Sequence, residues 1–217
     1  MSTVAENSNH IEAVQGYAIG RFASLSSVAF WMICVGLFAM VLIRYEYQSE
    51  PVIVPSQWPS QSQINRMPDA YELVLFLHPK CVCSYATLDQ LTKILPANRE
   101  HLNFTLSVYC PKSRDSQWSQ TDLTESFQAL FPSQVVIDHE NREASCFGVN
   151  CSGHLVLYDP DGSLLFSGGI TKSRGHRGDC IAAETLKKTI LEKNTGPFSY
   201  PAFGCKLGST LLTGTSS

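Results

Sequence analysis

From Tyr71 onward, short apolar runs alternate with segments whose apolar residues recur every three or four positions. The runs predict strands at 71–78, 103–109, 134–138, 154–159 and 163–168, and the helical spacing predicts helices at 83–95, about 120–130 and 182–193. Leu73-Val74-Leu75-Phe76-Leu77 has no polar position, the pattern of a strand covered on both faces. Pro79 ends it, and Leu88, Leu91, Ile94 and Leu95 then repeat at helical spacing as far as Pro96. Asp159-Pro160-Asp161-Gly162 supplies turn residues between the last two strands. Strands and amphipathic helices in this order predict an α/β domain, a central mixed sheet flanked by helices.

Upstream of that domain the pattern changes twice. Residues 22–43 carry no charge, and their length suits a single transmembrane helix, with Arg21 and Arg44 at its ends and Tyr45 and Tyr47 at one interface. The apolar region exceeds that of a cleavable signal peptide, and Arg44-Tyr45-Glu46-Tyr47 has no small-residue cleavage site, so an uncleaved anchor is expected. Residues 44–70 contain Pro51, Pro55, Pro59 and Pro68 among Ser and Gln, the composition of an extended, solvated linker. The expected organisation is therefore a polar segment 1–21, disordered or loosely helical, then the anchor 22–43, the linker 44–70, the α/β domain 71–194 and a tail 195–217. Tyr200, Phe203, Cys205 and Leu207 make the tail apolar enough to pack back on the domain.

The candidate chemistry lies where the first strand meets its helix. Cys81 and Cys83, separated by Val82, sit at that junction, where a helix start has unpaired N–H groups and the positive dipole end. Both favour thiolate, and Lys80 adds a cation beside Cys81. A disulfide between cysteines so close would be strained and labile, which suits exchange chemistry. Cys81, nearer the exposed loop, is expected to attack, with Cys83 resolving.

A second stretch, Ile137-Asp138 followed by Phe147-Gly148-Val149-Asn150-Cys151-Ser152-Gly153-His154 and the run Leu155-Val156-Leu157-Tyr158, strengthens the picture. Together with the strand, thiol pair and helix it resembles thioredoxins over roughly residues 71–193. The His-Pro-x-Cys-x-Cys-Ser order, Phe166-Ser167-Gly168-Gly169-Ile170-Thr171 and the late Phe203-Gly204-Cys205 resemble the bacterial RedB-type branch of that superfamily. The resemblance implies a thioredoxin-like fold behind the anchor and a thiol–disulfide oxidoreductase acting on protein thiols or disulfides. It puts Gly153 where thioredoxins carry a cis-proline, and His154 at the following threonine, beside the dithiol. The cysteine pair also departs from the family, with one intervening residue instead of two.

Around the dithiol, His78 and His154 are candidate acid/base groups and Cys151 a candidate third thiol. No resident cofactor is needed for exchange; the alternative is a copper-handling module in which Cys81 and Cys83, with His78 or His154, hold Cu(I). Net charge is −3 with no basic block, which excludes a nucleic-acid partner. The loop 172–179 is basic and glycine-rich and reads as a solvated connection. Seven cysteines beyond the anchor, Cys110, Cys146, Cys151, Cys180 and Cys205 among them, suit an oxidising extracytoplasmic compartment; Cys180 with Cys205 would clamp the tail.

Overall fold

The computed structural model describes residues 26–49, 51–67, 69–95, 101–131, 134–192 and 196–208. The polar segment 1–21 lies outside the described residues. The chain forms two compact units, residues 1–46 and 47–217. In the first, α1 (Ser26–Tyr47) is a helix of 22 residues with mean hydropathy 2.3, long and apolar enough to cross a membrane.

The second unit is built on one six-stranded sheet. Its strands are β1 (Tyr71–Leu77), β2 (Leu102–Cys110), β3 (Gln134–His139), β4 (His154–Tyr158), β5 (Leu164–Gly169) and β6 (Phe198–Ser199), in the order β3-β2-β1-β4-β5-β6. β1, β2 and β3 run parallel, β4 is antiparallel to β1 and β5, and β6 is parallel to β5. The helices are α2 (Ser84–Ile94), α3 (Asp122–Leu130), α4 (Arg142–Cys146) and α5 (Ile181–Glu192).

The unbroken apolar run of β1 follows from its place at the centre. On one face Leu73, Leu75 and Leu77 join Leu155 and Leu157 beneath Leu88, Leu91 and Ile94 of α2 and Leu186 of α5. On the other, Val74 and Phe76 join Val156, Tyr158 and Phe147. Neither face meets water from Leu73 to Leu77, so that stretch is apolar throughout, and the buried Glu72 before it is satisfied by the Met67 amide and the Asn103 side chain.

What covers the second face corrects the reading of residues 44–70. Val52, Val54, Trp58 and Ile64 pack on the Val74 and Phe76 side. Trp58 sets its ring edgewise on Phe147 and Tyr158, with centroids 5.0 and 5.2 Å away. Backbone bonds from Trp58 N–H to the Gly162 carbonyl, 2.8 Å, and from Leu164 N–H to the Ser56 carbonyl, 2.9 Å, fix the segment. The prolines prevent it from forming a helix, yet its spaced apolar residues help the short α4, Trp118 and Leu207 close this face. It is an extended cover, not a solvated linker.

The tail is likewise part of the domain. Phe198 and Ser199 add β6 beside Phe166 and Ser167, and Tyr200 stacks on Phe166 at 5.8 Å. From there the chain crosses the end of the sheet toward the β1–α2 junction.

Candidate functional site

The loop from β1 to α2 is a series of tight turns. Cys81 N–H donates to the His78 carbonyl and Ser84 N–H to the Cys81 carbonyl, both at 3.0 Å, and Ala86 N–H to the Cys83 carbonyl at 3.1 Å. Cys83 is the N-cap of α2, and Cys81 lies just outside the helix. These turns engage the amides of Ser84, Tyr85 and Ala86, so the helix start does not hold the thiolate through free N–H groups as expected.

Other donors converge on the Cys81 sulfur instead. The N–H of Cys205 lies 3.4 Å from it. The Cys205 thiol, first, then the Cys83 thiol and the Ser84 hydroxyl also bond to it, and together they hold the buried Cys81 thiol well below its ordinary range, although burial opposes them. Ser84 Oγ is 2.9 Å from Ser152 Oγ, which accepts the His78 N–H at 2.8 Å. A polar chain thus runs from the His78 amide through Ser152 to Ser84, the hydroxyl that helps lower Cys81.

The three thiols titrate as a set, and Cys81 gives up its proton first. At Cys83 the Cys205 thiol pulls downward, but the bond to Cys81, burial and the Cys81 charge outweigh it and raise the group. Cys205 is raised by its bonds to Cys81 and Cys83 and by burial. The set thus favours the charge on the buried Cys81 sulfur and the proton on the half-buried Cys83 and Cys205.

Cys205 is delivered by backbone pairing. Ser152 N–H donates to the Cys205 carbonyl at 2.8 Å and Leu207 N–H to the Asn150 carbonyl at 2.9 Å, with Cys151 and Lys206 bridged between them. Arg174, from the basic loop, donates to the Gly204 carbonyl. A Cβ on Gly204 would run into the Ser152 carbonyl, so the tail can lie this close only with glycine there.

The remaining candidates fall elsewhere. His78 is buried with its ring stacked on Tyr109 at 5.5 Å and edge-on to Trp118, and its Nδ1 accepts the Lys80 N–H at 3.2 Å. The Lys80 ammonium sits 4.7 Å above the Trp118 ring. Arg174, rather than Lys80, is the cation that acts on the thiols, lowering Cys83. His154 begins β4 on the face of Val156 and Tyr158, opposite α2, and its Nε2 is 2.9 Å from Ser167 Oγ. It is therefore not beside the dithiol, because alternation along β4 turns it to the far face. Cys151 Sγ points to the Ala202 carbonyl at 3.8 Å, and the third thiol at the site is Cys205.

Neither histidine joins the sulfurs, and among the described residues no group of three or more His, Cys, Asp or Glu side chains could hold a metal ion.

No protein-family model matches the sequence, and no curated protein matches it. Solved structures do. A hypothetical protein of Sinorhizobium meliloti 1021 is 16% identical over 76% of this chain and 98% of that one, with a TM-score of 0.55. An uncharacterized conserved protein from Geobacillus kaustophilus is 16% identical over 76% of this chain and 93% of that one, TM-score 0.52. A secreted Mycobacterium tuberculosis disulfide oxidoreductase homologous to E. coli DsbE is 14% identical over 58% of this chain and 83% of that one, TM-score 0.39. The β1–α2–β2 unit, with antiparallel β4 and β5 on the other side of β1, decides the class. The fold is thioredoxin-like.

In this thioredoxin-like frame Gly153 occupies the loop before β4 without a cis peptide, since among the described residues only Gly196–Pro197 is cis. Its φ is +85° and an added Cβ would lie 3.0 Å from Thr87 Oγ1, so glycine brings the loop against α2. Sequence reasoning missed Cys205, Ser84, Ser152 and Arg174 as site residues. The Phe203-Gly204-Cys205 run was the signal of the first, and Ser84 and Ser152 stood inside the quoted motifs without a role assigned to them; nothing in the spacing marks Arg174.

Proposed function

We propose that the protein is a membrane-anchored thiol–disulfide oxidoreductase whose reactive group is the Cys81 thiolate. The observation that carries this reading is the Cys205 amide donating to the buried Cys81 sulfur at 3.4 Å, beside Cys83 at the start of α2, with the neighbouring thiols and the Ser84 hydroxyl lowering Cys81 further. Such a shell stabilises thiolate both as the attacking form and as the leaving group when a disulfide on Cys81 is opened. The thiolate attacks one sulfur of a protein disulfide, expels the other as thiolate and forms a mixed disulfide. A second thiol, Cys83 in the simplest scheme, then attacks the Cys81 sulfur and releases the remaining substrate sulfur. Two protein thiols are oxidised and one substrate disulfide is reduced, and the reverse sequence oxidises a substrate dithiol. The substrate class is accordingly protein thiols and disulfides.

Anchoring is supported by α1, and an oxidising side for the domain by the density of cysteines after it. The full chain equilibrated in glutathione buffers, quenched with alkylating reagent and weighed should gain and lose two electrons cooperatively in a manner abolished by Cys81→Ser. If Cys81 stays alkylatable at every potential, the oxidoreductase reading is wrong. For topology, alkaline phosphatase fused after Ser217 should be active in a bacterial host and a cytoplasm-dependent fluorescent fusion dark; the opposite pattern would put the domain in the cytoplasm.

A further inference from the structure

We propose that Cys205 is the thiol that resolves the mixed disulfide on Cys81, so that the oxidised protein carries a Cys81–Cys205 bond and Cys83 remains a thiol. This rests on Cys81 as the nucleophile and replaces the simplest choice of resolving group by one from the tail.

Geometry favours the tail. The Cys205 amide donates to the Cys81 sulfur at 3.4 Å, which sets the Cys205 side chain beside the dithiol loop, and Cys205 and Cys81 perturb each other's titration. The backbone on each side of it is fixed, through Ser152 to the Cys205 carbonyl, Asn150 to the Leu207 amide and Arg174 to the Gly204 carbonyl. Cys205 therefore arrives already oriented, which lowers the entropy cost of the second step.

Cys83 has the opposite problem. It is held at φ −64° and ψ −27° as the N-cap of α2, and the Ser84 and Ala86 amides bind the Cys81 and Cys83 carbonyls. Closing a ring with Cys81 would distort those turns and strain the bond. Cys205 stands 124 residues from Cys81 and meets no such ring constraint.

The steps balance. The Cys81 thiolate attacks a substrate disulfide, and the expelled substrate sulfur takes the proton of the Cys205 thiol. The Cys205 thiolate so formed attacks the Cys81 sulfur and expels the second substrate sulfur as thiolate. Two electrons pass from Cys81 and Cys205 to the substrate, whose disulfide becomes one thiol and one thiolate. In the reduced state the same thiol supports the Cys81 charge; in the oxidised state it ties the tail to the dithiol loop.

The test uses the full chain in detergent, oxidised with glutathione disulfide, alkylated and digested with trypsin without reduction. Lys80, Lys93, Lys193 and Lys206 place Cys81 and Cys83 on peptide 81–93 and Cys205 on peptide 194–206. The expected product joins the two peptides with Cys83 alkylated, persists in Cys83→Ser and vanishes in Cys81→Ser. Cys205→Ser should lower the turnover of insulin disulfide reduction at least tenfold and accumulate the Cys81 mixed disulfide. A bond within peptide 81–93 with Cys205 alkylated, or wild-type turnover in Cys205→Ser, would overturn the proposal and leave Cys81 as nucleophile intact. Absence of any disulfide among the three would overturn both.

Discussion

Protonation of His154 should make the domain acid-sensitive in a way that one substitution removes. The ring is fully buried, no charged partner offsets the loss of water, and desolvation pushes its pKa down from 6.5 to about 4. In the folded state the ring is neutral at pH 5, whereas in the unfolded chain it is mostly protonated. The unfolded state thus binds more protons between the two pKa values, and stability falls as pH falls through that window. Working the linkage between 6.5 and 4 gives a loss of about 2 kcal/mol from pH 7.5 to 5.0, approaching about 3 kcal/mol below pH 4. Glu72 and Asp138 act in the opposite sense, since burial raises both carboxyls and their protonation in the fold favours it at low pH. Their contribution is common to wild type and variant, so the comparison isolates the histidine. His154→Gln keeps a polar head near Ser167 but cannot ionise. Urea unfolding followed by tryptophan fluorescence at pH 7.5 and 5.0 should show the wild type losing about 2 kcal/mol more than the variant over that interval. Equal losses would mean that the ring is protonated in the fold or open to water, and the buried, neutral assignment would be wrong.

Ser84→Ala removes a hydroxyl from a charged sulfur, a bond worth about 1.5–3 kcal/mol, and should shift the pH profile of Cys81 alkylation upward. An unshifted profile would remove Ser84 from the thiolate shell. Gly153→Ala forces a Cβ into a positive-φ position 3.0 Å from Thr87 Oγ1 and should cost roughly 1–2 kcal/mol in chemical unfolding. Trp58 is half-buried, so Trp58→Ala should cost about 2 kcal/mol, near half the value for a fully buried ring, whereas a solvated linker predicts no change.

Legibility of this fold in its sequence tracks how local each determinant is. β1 and α2 were readable because a doubly covered strand and an amphipathic helix each write their burial into consecutive residues, and the 159–162 turn because Asp-Pro-Asp-Gly does the same. α4 was nearly invisible: five residues give too short a period, and Asp138 caps it from the end of β3 by accepting the Glu143 and Ala144 N–H groups at 3.0 Å. The proline-rich cover was misread for a related reason. Composition reports what backbone a segment can adopt, while the role of Trp58 depends on Phe147 and Tyr158, about ninety and one hundred residues later.

The same distinction explains why the Cys-Val-Cys run was legible in the sequence and its surroundings were not. Two cysteines one residue apart are a local signal, but what sets their chemistry is a contact between segments far apart in the chain. The tail reaches the site only because β6 extends the sheet at one edge, Gly204 lacks a Cβ against Ser152, and Arg174 binds the carbonyl just before Cys205. Removing any one of these supports, while leaving the Cys-Val-Cys run untouched, should therefore alter the dithiol. Gly204→Ala is the sharpest case: the added methyl meets the Ser152 carbonyl, so the tail must lift and withdraw both the amide and the thiol of Cys205 from Cys81. Alkylation of Cys81 below neutral pH should slow at least tenfold as the sulfur regains its proton, and hydrogen exchange of the Cys205 and Leu207 amides should quicken by a similar factor. If exchange quickens while Cys81 reactivity holds, the local turn alone sustains the thiolate, and the tail is structural.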